Sequence, residues 1–167
     1  MKNLKLLILT WLLFWSPSNV IAQDKPQFIG EVEQVFRENE PKWKVERTYI
    51  NSGLGFFKED IVFRNGKVQA SVSIAIWEKV ENAREAFRGE SIAFDNITGK
   101  KMLKSRLQGL GEDSYMWTNR NSSAWPTIRF RRAGVIVEVF APSVITAKRF
   151  AQYVSDRIPL SDIKVHP

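Results

Sequence analysis

The sequence predicts an α+β fold: a single domain with one antiparallel sheet and helices packed on one face. Three observations predict it. Ile128-Arg129-Phe130-Arg131 alternates apolar and charged residues, and Val135, Val137 and Val139 repeat that alternation beyond Arg132-Ala133-Gly134. Period-2 runs on both sides of a short loop are the signature of a half-buried hairpin. Val144, Ala147, Phe150, Ala151, Val154 and Ile158 then recur at three- and four-residue steps, an apolar stripe suited to covering that hairpin. Finally, the strands come in paired runs punctuated by helices rather than alternating strictly with them, which favours an antiparallel sheet.

Along the chain, Lys2 and Lys5, an apolar run from Leu6 to Trp15 and the small-residue end Val20-Ile21-Ala22 have the form of a cleaved signal peptide, residues 1–22. The domain is then residues 23–167. Pro26 suits a first helical turn, and Phe28, Ile29, Val32, Val35 and Phe36 form a helical stripe that Pro41 ends. Trp43, Val45 and Tyr49 suggest a first strand, and Asn51-Ser52-Gly53 a turn. A hairpin follows with Asn65-Gly66 at its tip; its second strand sets Val68, Ala70, Val72, Ile74 and Ile76 against Gln69, Ser71, Ser73 and Ala75. A second helix is expected over 79–94, with Gly89 its weak point. Residues 96–101 read as a loop, 101–107 as a strand with Lys104 and Arg106 outward, and 115–118 as another strand. For the last hairpin a three-residue loop, 132–134, is expected. Ser143 is placed to cap the final helix, which Pro159 stops. Phe130 and Phe150 are expected in the core.

The hairpin–helix unit occurs in two similar copies. Ile61, Phe63, Arg64, Val68 and Val72 match Ile128, Phe130, Arg131, Val135 and Val139 in spacing, and Val80, Ala83 and Phe87 match Ala147, Phe150 and Val154. An internal duplication and a shared generic pattern both fit this periodicity.

Composition narrows the function. The chain has no Cys, and its one His is His166 beside the C-terminus. Thiolate nucleophiles, thiolate metal sites and Ser-His-Asp chemistry therefore lack their raw material, and no cofactor or metal is expected. The pairs Glu59-Asp60 and Glu112-Asp113 are the catalytic candidates. Adjacent strand residues point to opposite faces, so neither pair alone gives the two convergent carboxylates of a glycosidase. No catalytic residue is assigned.

The chain is basic, with a formal charge of +7. Arg129 and Arg131 share one strand face, and Lys104 and Arg106 can join them from a neighbouring strand, giving a cationic face suited to anionic glycans or lipid headgroups. Tyr115 and Trp117 share another strand face, and Trp125, beside Pro126, can stack on a sugar or anchor a partner protein. These seven residues are the candidate contacts. No nucleic-acid motif is visible, and export makes such a target a poor fit.

Gly109-Leu110-Gly111-Glu112-Asp113-Ser114-Tyr115, followed by a valine-rich hairpin and an Ala/Phe-seamed last helix, resembles small extracytoplasmic bacterial domains of the PsbP/Mog1-like or kinase-sensor-like α+β type. The resemblance implies a sheet with helices against it and a sensing or accessory binding role; it carries over no functional residue. The expectation is an exported, periplasmic or extracellular, non-catalytic binding or sensing module. Its alternatives are a carboxylate-based hydrolase of cell-envelope glycans and a structural or assembly partner of another envelope protein.

Overall fold

The computed structural model describes residues 25–53, 55–98, 102–119 and 122–159. The segment expected to be a signal peptide, 1–22, lies outside them. Among the described residues no helix is long and apolar enough to cross a membrane. The elements run α1 (Gln27–Asn39), β1 (Lys44–Gly53), β2 (Phe56–Asn65), β3 (Val68–Trp77), α2 (Val80–Thr98), β4 (Met102–Arg106), β5 (Asp113–Asn119), β6 (Ser122–Arg132), β7 (Val135–Phe140) and α3 (Val144–Ser155). The strands form one antiparallel sheet in the order β1-β2-β3-β7-β6-β5-β4, an α+β domain as the sequence predicts. Two meanders meet where β3 pairs with β7, and Val72 lies opposite Val139 there.

One face carries the main core. Alternation on β2, β3, β6 and β7 turns Phe57, Ile61, Phe63, Ala70, Val72, Ile74, Ile76, Ile128, Phe130, Val135, Val137 and Val139 to this side. The α1 stripe, all five residues buried, and the α3 stripe close over them. Phe36 stacks on Phe63 at 4.5 Å between centroids and meets the edge of Phe150 at 4.6 Å. Phe130 and Phe150 are fully buried, as expected. Ser143 caps α3, its hydroxyl accepting from the Thr146 N–H at 3.2 Å. Glu40, at the end of α1, accepts from Arg149 (3.2 Å) and from the Tyr153 hydroxyl (3.3 Å), tying the two helices together.

Helix α2 lies on the opposite face. Ala83 and Phe87 pack with Ile136, Ala75, Trp77 and Tyr115 in a second, smaller cluster. Helices therefore flank the sheet on both sides, and the two similar hairpins carry their following helices to opposite faces. Helix α2 also passes through Gly89 unbroken and runs to Thr98, four residues past its expected end, because its C-terminal turn is held to the sheet by Asp95. The 96–101 loop is correspondingly shorter, with residues 99–101 outside the described ones.

Both matched hairpins turn on two residues. Asn65 pairs with Val68 and Arg132 with Val135, so the loops are Gly66-Lys67 and Ala133-Gly134, one residue shorter in the second case than the spacing suggests. The first loop residue takes a left-handed φ in each, +59° at Gly66 and +50° at Ala133. Gly134 allows a close approach: a Cβ there would lie 2.6 Å from the Trp77 carbonyl oxygen. The first turn also falls later than expected, since β1 continues to Gly53, which pairs with Phe56.

Candidate functional site

Of the four residues expected to form an open cationic face, Arg129 and Arg131 are instead buried, and only Lys104 and Arg106 are exposed. Register aligns Tyr49, Asp60, Ser73, Glu138, Arg129, Tyr115 and Arg106 in one row across the sheet. Helix α2 crosses the β7–β5 part of that row, and Arg129 is only 5% exposed. Its guanidinium pairs with Glu90 of α2, reaches Glu138 Oε2 at 3.4 Å and lies 5.7 Å from the Phe87 ring centroid. Burial holds the Arg129 pKa below its ordinary value, with the Glu138 charge opposing. Arg131, 4% exposed, donates to Asp113 Oδ2 at 2.9 Å and to the Ala133 carbonyl at 3.1 Å, and pairs with Glu112 at 2.5 Å. Both arginines are internal cross-links, because a buried guanidinium needs carboxylates to offset its lost hydration.

Lys104 and Arg106 lie on the same face but two strands away, with β5 between them and β6. Lys104 bonds Asp95 at 2.7 Å and sits 4.4 Å over the Tyr115 ring. Trp117 is buried under the end of α2, its indole N–H donating to Asp95 Oδ1 at 2.7 Å. Tyr115, partly buried, stacks with Phe87. Arg106 is exposed at the β4 edge. Thus Tyr115, Trp117, Lys104, Arg129 and Arg131 seat α2 and brace the last hairpin, while Trp125 stays open to solvent.

The pair Glu59-Asp60 diverges as strand geometry requires, whereas Glu112, just outside β5, turns with Asp113 onto the one Arg131 guanidinium, contrary to the expectation from strand alternation. Glu59 turns into the core face, fully buried, and takes a bond from Lys25 at 2.8 Å; Asp60 faces the other side, 3.2 Å from Lys58. Burial pushes the Glu59 carboxyl above its ordinary value, and the Lys25 bond offsets this only in part. Glu112 accepts from the Ala133 N–H at 2.9 Å, which fastens the last turn.

What remains open on the α2 side is the half of the sheet that the helix does not reach. Arg47, Val62, Ser71, Phe140 and Thr127 are successive register partners across β1, β2, β3, β7 and β6. Arg47, Val62, Ser71 and Phe140, with Gln69, Ala70 and Trp125, line an open trough of about 490 Å³. Trp125 and Phe140 form one end, their rings stacked at 5.3 Å and 19°. Both are exposed, at 42% and 40%.

Local structure explains how Trp125 reaches that position. Trp117 of β5 pairs with Thr127 and Asn119 with Ser122, so β6 carries extra residues between these pairs and bulges. Trp125 takes φ +57°, costly for a bulky side chain, and its N–H turns to the Pro142 carbonyl at 3.4 Å. At the other end, the Arg47 guanidinium lies 5.6 Å from the Tyr49 ring centroid and makes no ion pair among the described residues, whereas neighbouring Arg64 is bound to Glu46 at 2.7 Å.

Sequence reasoning singled out Trp125 but missed Phe140 and Arg47. The signal for Phe140 was its parity: it shares the outward set with Ile136 and Glu138. Arg47 gave no usable signal, since a register shift after Val45 breaks the alternation of β1. Comparison with protein families, curated proteins and solved structures yields no match to this chain.

Proposed function

We propose that this chain is a non-catalytic binding module acting outside the cytoplasm, and that it takes its ligand in the trough ending at Trp125 and Phe140. The observation that carries the reading is Trp125 itself. Apolar burial explains neither its exposure nor its left-handed backbone, and strain of this kind persists where the surrounding structure over-determines it, often at ligand clamps. Polar groups on the floor, the Ser71 hydroxyl and the amide oxygen of Gln69, whose N–H is held by Glu46, give hydrogen-bonding positions beside an aromatic wall, the usual composition of a recognition site.

Thermal unfolding of residues 23–167 with a panel of acidic and neutral oligosaccharides, anionic lipid micelles and extended peptides tests the reading. A ligand that binds only the folded state raises the melting temperature. At least one class is expected to stabilise the native protein and to lose that effect in Trp125→Ala and Phe140→Ala. A panel without any shift, or a shift that both variants retain, overturns it.

A further inference from the structure

The chemistry along the trough narrows the ligand class, and the narrowing rests on the reading of the trough as a binding site. We infer that the trough takes a hydroxyl-rich saccharide chain with sparse carboxylates, one ring against the Trp125–Phe140 wall and one carboxylate at Arg47. The register row places Arg47 three strands from Phe140. At the ordinary strand spacing that is about 14 Å. One ring does not bridge this distance, so the site suits a chain laid across the strands.

Each part of the trough selects for this chemistry. The C–H face of a pyranose is the natural partner of an aromatic plane, and Trp125 and Phe140 present two nearly parallel rings. Ser71 offers a neutral hydroxyl, and Gln69, whose N–H is held by Glu46 at 2.8 Å, offers its amide oxygen; both match sugar hydroxyls rather than phosphates. Arg47 can hold a carboxylate through two parallel N–H bonds, since the neighbouring Glu46 carboxylate is bonded to Arg64 and Gln69 and no acid is in ion-pair contact with Arg47 among the described residues. The surroundings argue against a dense polyanion or an anionic membrane plane. Arg64 and Lys58 are already paired with Glu46 and Asp60 and are not free to hold a dense row of anions. An extended peptide would find its backbone partners along the strand edge, not on this face.

Calorimetric titration tests the inference with a hexasaccharide of alternating glucuronic acid and N-acetylglucosamine. The same chain with its carboxylates reduced to alcohols, and phosphatidylglycerol vesicles, serve as comparison probes. The acidic hexasaccharide is expected to bind the native protein about tenfold more tightly than the reduced chain, the usual scale of one partly exposed charge-assisted contact. Arg47→Gln should erase that difference and leave the reduced chain unaffected, while Trp125→Ala should abolish both. Unchanged circular dichroism and melting temperature of Arg47→Gln, with Trp125→Phe retaining partial affinity, separate loss of contact from loss of fold. Equal binding of the acidic and reduced chains overturns the role of Arg47. Binding of vesicles but of neither saccharide overturns the ligand class. If neither saccharide binds while another ligand stabilises the protein through Trp125, the saccharide inference falls and the trough remains the binding site.

Discussion

Among the described residues, two non-glycines, Trp125 and Ala133, sit at left-handed φ, and they differ in what surrounds them. Trp125 is exposed beside an open trough. Ala133 occupies the turn position that Gly66 fills in the matching hairpin. A left-handed L-residue costs about 1–2 kcal/mol, and glycine gives back roughly half of the relief through its looser unfolded chain. Ala133→Gly should therefore stabilise the protein by up to about 1 kcal/mol, read as a higher urea midpoint at unchanged slope. The bond from the Ala133 N–H to Glu112 survives the change. Gly134→Ala is the opposite control, since its Cβ would meet the Trp77 carbonyl oxygen and must destabilise. An unchanged midpoint for Ala133→Gly would show that this turn stores no strain. At this scale the sequence was partly readable. Alternation correctly put Arg129 and Arg131 on one face, but it carries no information about what covers that face.

Elements were legible where one periodicity dominated. The α1 and α3 stripes, the β2–β3 hairpin and the Ser143 cap all follow from residues a few positions apart. The side chosen by α2 did not, because Ala83 and Phe87 would suit either face of the sheet. The clue lay on the strands: Ala75 and Ile136 are apolar on the outer face, where a fully solvated sheet would place polar residues. The far end of α2 is held by Asp95, which accepts from Trp117 and Lys104, both at 2.7 Å. Burial works to raise the Asp95 carboxyl, but these two hydrogen bonds and the Lys104 charge outweigh it and hold the group below its ordinary value. A depressed folded value means that the anchor is fully present above the ordinary aspartate range and is lost as pH falls through the folded value. Hydrogen exchange in residues 90–98 should therefore quicken in acid before the main core opens. In Asp95→Asn the same residues should be fast already at neutral pH. Identical exchange profiles for the two proteins would remove Asp95 as the anchor.

At the scale of the whole molecule, the sheet is the common wall between two unequal layers. Among the described residues, the α1/α3 side holds most of the buried apolar residues, while the α2 side holds a smaller cluster around Ala83, Phe87 and Ile136 and leaves a trough beside it. The main core and the proposed binding trough thus lie on opposite faces, so changes in the trough should cost little core burial. Phe150 is the sharpest test of that division. It is fully buried in α3 and touches Phe36 of α1, Trp43 just before β1 and Phe63 of β2, with centroids at 4.6, 5.4 and 5.8 Å. Truncation would leave a void that three separate segments cannot collapse into together, so Phe150→Ala should cost about 3–5 kcal/mol. That is a large part of the roughly 5–15 kcal/mol that holds an ordinary domain together. Phe140→Ala, on the other face and already 40% exposed, should cost much less. Urea unfolding of the two variants measures the contrast directly. Equal losses would mean that the trough wall is part of the load that folds the domain; a wide gap would leave Phe140 free to be chosen for what it touches.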